Sequence, residues 1–165
     1  MYQLLIFIQY LLFTVVFEMD IDFIIYGLIS GFIATGVMSI LQVPMYKKWG
    51  MTSVLEWHEN QVITSKFIKK NPEELLIPSF LFHLLHGGLG GIAFAIVVSI
   101  IDFQVSYLIS GTVLGFLFAL VVLIIHEPIT KVKPLKHPLG NIPVIGSFVN
   151  HAIYGAALGY FLIIL

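Results

Sequence analysis

Four stretches of the chain are apolar over a length that suits a bilayer: Phe23–Tyr46, Ser79–Ile101, Tyr107–Ile125 and Ser147–Leu165. None contains Asp, Glu, Lys or Arg. About 20 apolar residues carry a helix across the ~30 Å hydrocarbon layer, so each is expected to be a transmembrane helix. Met1–Phe17 is apolar as well but ends at Glu18, and at 1.5 Å per residue it reaches roughly 25 Å. It is read as a short fifth helix, 1–17, although Met19 would serve equally as a start. A cleaved signal is the poorer reading, since no Lys or Arg precedes Lys47 and no small-residue cleavage site precedes Glu18.

Composition narrows the class further. Of 165 residues, 59% are hydrophobic and 10% charged, with mean hydropathy +1.01 and no cysteine. Soluble domains carry about a quarter charged residues, which excludes an ordinary globule. Disulfide scaffolds and thiolate metal sites go with the missing cysteine. The expected fold is an all-α integral membrane protein, a single transmembrane domain over 1–165.

Every basic residue is a lysine, and all eight fall in two loops. Lys47, Lys48, Lys66, Lys69 and Lys70 lie in 47–78, and Lys131, Lys133 and Lys136 in 128–146. Glu18, Asp20, Asp22 and Asp102 belong to the opposite side. Positive charge is retained in the cytoplasm, which predicts a multi-pass cell-membrane protein with both lysine loops cytoplasmic and the C-terminus outside.

The spans also repeat. Leu28-Ile29-Ser30-Gly31 recurs as Leu108-Ile109-Ser110-Gly111, and His83-x3-Gly87-x3-Gly91 recurs as His151-x3-Gly155-x3-Gly159. This predicts a parallel duplicated helical hairpin: 23–101 with loop 47–78, then 107–165 with the Pro-rich loop 128–146. Small residues at every fourth position let helices approach closely in lipid. Gly27, Gly31, Thr35, Gly87, Gly91, Gly111, Gly115, Gly155 and Gly159 are therefore expected at helix contacts, with Ala119 continuing the second stripe.

Histidine is the only chemistry-bearing residue inside the spans. His83, His86, His126 and His151 all lie toward the lysine loops. Imidazole can hydrogen-bond a neighbouring helix, or it can bind copper or the iron of haem b, for which two imidazoles at one depth suffice. These four are the candidate cofactor ligands. Glu127, beside His126 at the inward end of the span Tyr107–Ile125, makes the only candidate carboxylate–histidine pair for catalysis, and adjacent helical residues point in different directions.

The loops read as connectors. Ser53-Val54-Leu55-Glu56 has the form of a capping box, and Met51, Val54, Leu55, His58 and Val62 share a face, with Trp49 and Trp57 suited to headgroups. His58-Glu59 is a conceivable metal half-site. Asn71-Pro72-Glu73-Glu74 is a stronger helix start, after which Pro78 is expected to bend the chain into the next span. Pro128, Pro134, Pro138 and Pro143 predict an extended, stiff second loop.

Gly31-x3-Thr35, His83…Gly87…Gly91, Pro138-Leu139-Gly140 and His151-x2-Tyr154-Gly155…Gly159 together resemble small multi-pass membrane families of archaea and bacteria that have no assigned function. The resemblance spans residues ~20–165; it implies a helical membrane fold and lends no activity. With no buried charge and no nucleophile–base pair in sight, the sequence points first to a non-catalytic accessory subunit of a larger membrane complex. Its expected partners are lipid and other membrane subunits or a second copy, not nucleic acid. A haem- or copper-binding protein is the second expectation, and a small transporter or channel the third.

Overall fold

A computed structural model describes residues 20–101 and 105–165. The stretch 1–17 and Asp102 lie outside the described residues. Within them the chain is helical throughout: α1 (Ile21–Trp49), α2 (Leu55–Ile68), α3 (Leu76–Ile100), α4 (Tyr107–Thr130) and α5 (Ile142–Ile164), with short 3-10 turns between. Four of these, α1, α3, α4 and α5, are long and apolar enough to cross a membrane.

The helices overrun the apolar stretches at the lysine end. Backbone hydrogen bonding continues wherever it can, because it satisfies polar groups whatever the side chains are. Thus α4 carries His126, Glu127 and Pro128 on to Thr130, and α5 begins at Ile142, with Pro143 in its first turn. The second loop is consequently shorter than 128–146, and its centre holds a 3-10 turn at Pro134–Lys136 rather than an extended run. Pro78 lies in the first turn of α3, where no N–H is needed, and does not bend the chain. The turn Pro72–Leu75 runs directly into that helix.

α1 packs along both α3 and α5, and α5 along α4, giving a spatial row α3–α1–α5–α4. The core between them is Ala34, Met38, Phe94, Val98, Tyr154, Leu158 and Leu162. Glycines set the spacing. A Cβ on Gly31 would strike the Gly87 carbonyl, and one on Gly27 would sit 2.6 Å from the Gly91 carbonyl oxygen. On the other pair of helices a Cβ on Gly111 would strike Gly155, one on Gly115 the His151 carbonyl, and one on Gly159 the Tyr107 carbonyl. Thr35 sits against Gly87 with its hydroxyl turned back to the Gly31 carbonyl at 2.7 Å, and Ala119 is fully buried.

The two ends of the row meet away from the lysines, where Phe94 and Tyr107 place their ring centroids 6.5 Å apart, and at mid-helix, where a Cβ on Gly90 would lie 3.0 Å from the Phe118 ring. Toward the lysine end, α3 and α4 have no extensive contact among the described residues. There α2 lies across the bundle, touching α3, α4 and α5.

Candidate functional site: a histidine–carboxylate cluster under α2

The helix α2 reads Leu-Glu-Trp-His-Glu-Asn-Gln, and Leu55 through Gln61 are all buried. This overturns the reading of 47–78 as an interfacial connector with one apolar face. Its polar face is turned inward, because the bundle presents imidazoles, hydroxyls and amides there for carboxylates to bond. Ser53 does not cap the helix; its hydroxyl goes to the carbonyls of Met45 and Gly50, at 3.1 and 2.7 Å, and Val54 stands at the cap without a side-chain bond. Trp57 is buried between Tyr46 and Phe80 rather than among headgroups.

Glu56 and Glu59, one turn apart, each address a histidine of a different span. Glu56 Oε1 lies 3.1 Å from His151 Nδ1 and also accepts the Ser147 hydroxyl; Glu56 Oε2 accepts from Gln42 Nε2 at 3.1 Å. His151 Nδ1 also lies 2.9 Å from the Ser147 carbonyl, which can only accept, so Nδ1 carries hydrogen and Nε2 is the ring nitrogen left for the cavity. Glu59 Oε1 lies 2.9 Å from His126 Nδ1. Asn60 Nδ2, the next residue, donates to His83 Nδ1 at 3.3 Å. These pairings are not visible in the sequence, because Glu56 and Glu59 sit on a polar loop helix far from their partners in the chain.

The electrostatics separate the two acids. Burial alone would raise Glu56, but the charge and hydrogen bonds of His151, with the Ser147 hydroxyl, outweigh it and hold the carboxyl at about 2. Glu59 has burial and the Glu56 charge both acting upward, against weaker opposition from His151, and reaches about 9. At neutral pH Glu56 is a carboxylate and Glu59 a carboxylic acid, so the Glu59–His126 contact is an acid-to-imidazole hydrogen bond rather than an ion pair. His58 is pushed down to about 4 by burial and by the neighbouring His126 and His137; its ring packs edge-on against His126, centroids 5.2 Å apart.

A cavity of about 320 Å³ opens beside this cluster. Its polar wall includes Glu56, Glu59, Asn60, His83 and His151; its apolar wall includes Met38, Phe118, Val121, Val122 and Ile125. Tyr154 lines it too, donating to the Gly87 carbonyl at 2.7 Å and so tying α5 to α3.

The four candidate ligand histidines part company here. His83 and His151 line the cavity together; His86 stands at its exposed rim with its ring against Phe82, 4.2 Å between centroids; His126 is fully buried against Glu59 and does not line it. Glu127 is not the partner of His126: it is half-exposed and meets Lys133 at 3.5 Å. The pair His58-Glu59 is buried, with Glu59 committed to His126. Among the described residues, no three His, Asp or Glu side chains stand where one metal ion could be held. No family model, curated protein or solved structure matches this chain.

Proposed function

We propose that the protein is a membrane-embedded acid–base site, with His151 as the proton acceptor and donor and Glu56 as the group that orients it. The observation that carries this is the Glu56–His151 pair: a buried carboxylate fixes Nδ1–H and leaves Nε2 toward a cavity, the arrangement a base and its orienting acid require. Glu56 stabilises the imidazolium that forms when Nε2 takes a proton. His83 Nε2, whose ring accepts from Asn60 at Nδ1, is left as a donor for negative charge developing on a substrate oxygen. The accessory-subunit expectation rested on absent buried charge, the lack of a cofactor motif beyond histidine and abundant small-residue faces; the inward carboxylates of α2 weigh against the first of these.

The test is hydrolysis of p-nitrophenyl dodecanoate by the purified protein in detergent. Water gives its proton to His151 Nε2 as its oxygen bonds to the ester carbon; the bond to nitrophenolate breaks and the proton passes to solvent. Wild type is expected to exceed His151→Ala by roughly a hundredfold, within the range of general-base catalysis, with Glu56→Gln intermediate. Equal rates for all three would refute the reading.

Two features of organisation belong to the same proposal. The duplicated hairpin is supported by matching contact registers, Gly31 on Gly87 as Gly111 on Gly155, and by Nδ1 of both His83 and His151 facing α2. Under that symmetry the counterpart of the closed α1–α5 interface is the α3–α4 interface, which α2 and the cavity occupy instead. The lysine end is assigned to the cytoplasm by the positive-inside rule. In intact cells a membrane-impermeant amine reagent is then expected to spare Lys131 and Lys133, both on that end; efficient labelling of either reverses the orientation.

A further inference from the structure

Beyond proton transfer, the cavity has a ligand chemistry written into its walls. Besides the polar wall already described, Thr35, Tyr154 and the rim residue His86 are its polar side chains, and the rest of the lining is mostly hydrocarbon. Its two long sides come from helices that are not packed on each other: His83, His86 and Gly87 of α3, and Phe118, Val121, Val122 and Ile125 of α4. His86 and Val121 are both exposed on the outer surface of the bundle, so the cavity's open side lies between two spans and faces lipid. A volume of about 320 Å³ corresponds to on the order of ten water-sized groups, a head and the first few methylenes of a chain.

The charge pattern selects the head. No lysine lines the cavity, and with the His151 ring neutral, as its role as proton acceptor requires, Glu56 leaves a net negative charge in the wall, so a carboxylate or phosphate head meets repulsion. A cationic head finds no free counter-charge either. Glu56 already accepts from Ser147, His151 and Gln42, and Glu59 carries its proton. What stands open is a donor and an acceptor. His83 Nε2, in a residue only 7% exposed, has no hydrogen-bond partner among the described residues and is a donor; in the neutral form of the His151 ring, whose Nδ1 carries the hydrogen, Nε2 is the remaining acceptor. A hydroxyl satisfies both at once, accepting from one imidazole and donating to the other.

We propose that the cavity binds an uncharged long-chain alcohol, which enters sideways from the bilayer between α3 and α4 with its hydroxyl toward His83 and His151. The inference takes the two imidazoles in the roles given above and adds the substrate class.

The experiment uses the full-length protein in lipid nanodiscs and a fatty alcohol carrying a diazirine near its hydroxyl end. The matching fatty acid and fatty amine serve as comparison probes. After irradiation, mass spectrometry is expected to find adducts on α3 near Gly87 and on α4 near Val121, with the alcohol labelling roughly tenfold above either charged probe, the discrimination of one unpaired polar group. Val121→Trp, which fills the cavity, should abolish the labelling. Ile124→Trp, which faces lipid on the same helix, should leave it unchanged. Labelling that is equal for the three heads, or insensitive to Val121→Trp, overturns the inference. The outcomes separate from those of the ester assay. Ester hydrolysis that depends on His151 without a preference for the alcohol leaves the acid–base site standing and removes the alcohol. Alcohol-selective labelling with no hydrolysis keeps the alcohol and removes the acid–base site.

Discussion

Gly31→Ile or Gly155→Ile is expected to leave no natively folded protein after extraction in mild detergent. At each position the first side-chain carbon would occupy the place of a backbone carbonyl on the facing helix, Gly87 for one and Gly111 for the other. A carbonyl held in a helical hydrogen bond cannot swing aside as a side-chain tip can. The helices must separate instead, losing dispersion contacts along their whole shared length, and lipid offers no hydrophobic compensation for that loss. Overpacking a tight core costs typically up to about 3 kcal/mol, and a backbone-to-backbone contact belongs at or above that end. Gly36 supplies the control within the same helix. A Cβ there meets nothing within 4 Å, so Gly36→Ala should raise stability by about 0.5–1 kcal/mol, the helix-propensity difference alone. Size-exclusion profiles and thermal denaturation in one detergent read both effects. Survival of Gly155→Ile as a monodisperse species with an unchanged melting temperature would show that these helices are not held at glycine distance.

The second large effect concerns the two acids, and the signs are opposite. Glu56 is ionised and accepts from three side chains, so Glu56→Ala strands His151, Ser147 and Gln42 together and should cost about 3–5 kcal/mol at neutral pH. Glu59 is held protonated, its carboxyl raised from the ordinary 4.5 to about 9 by burial and by Glu56. The folded protein keeps that proton through a window in which the unfolded chain has lost it. The associated stability is complete below about pH 4.5 and is lost as pH rises toward about 9. Glu56 works the other way: its stabilisation is complete above about pH 4.5 and is lost as pH falls toward about 2. The groups facing Glu59 are Glu56 on its own helix, His126 from α4 and His151 from α5. Glu59→Gln keeps the shape and the hydrogen-bonding capacity while removing the proton. Below about pH 6.5 the titration of buried His58, held down at about 4, acts on both proteins alike; between about pH 6.5 and 9 the wild-type melting temperature should therefore decline more steeply than that of the variant. A decline of equal slope in both proteins would place the titrating group elsewhere.

The spans were legible because hydropathy is a local property. A window of about 20 residues without a charge has one stable outcome in a bilayer, and four such windows became α1, α3, α4 and α5. Their ends were less legible, because hydrogen bonding carries a helix past the residue where apolarity stops, as Glu127 and Pro128 in α4 illustrate. The histidines were visible as unusual residues within apolar runs, and their clustering toward the lysine loops followed from span direction alone. Their partners were not visible. Glu56 lies 91 residues from Ser147, and Glu59 lies 67 from His126, in a segment whose charges look like an ordinary solvated face. Sequence periodicity reports which residues share a helical face but not which way that face turns when both choices present polar groups. For α2 the bundle decided. Buried imidazoles, a serine and a glutamine need acceptors once water is excluded, and the two carboxylates provide them. Sequence by itself therefore determined, over the described residues, a helical bundle with four helices long and apolar enough to cross a membrane and histidines near one end. Only the tertiary structure turned the α2 carboxylates inward, paired each with a histidine and left a cavity between α3 and α4, because those outcomes depend on polar groups that meet only when distant segments fold together.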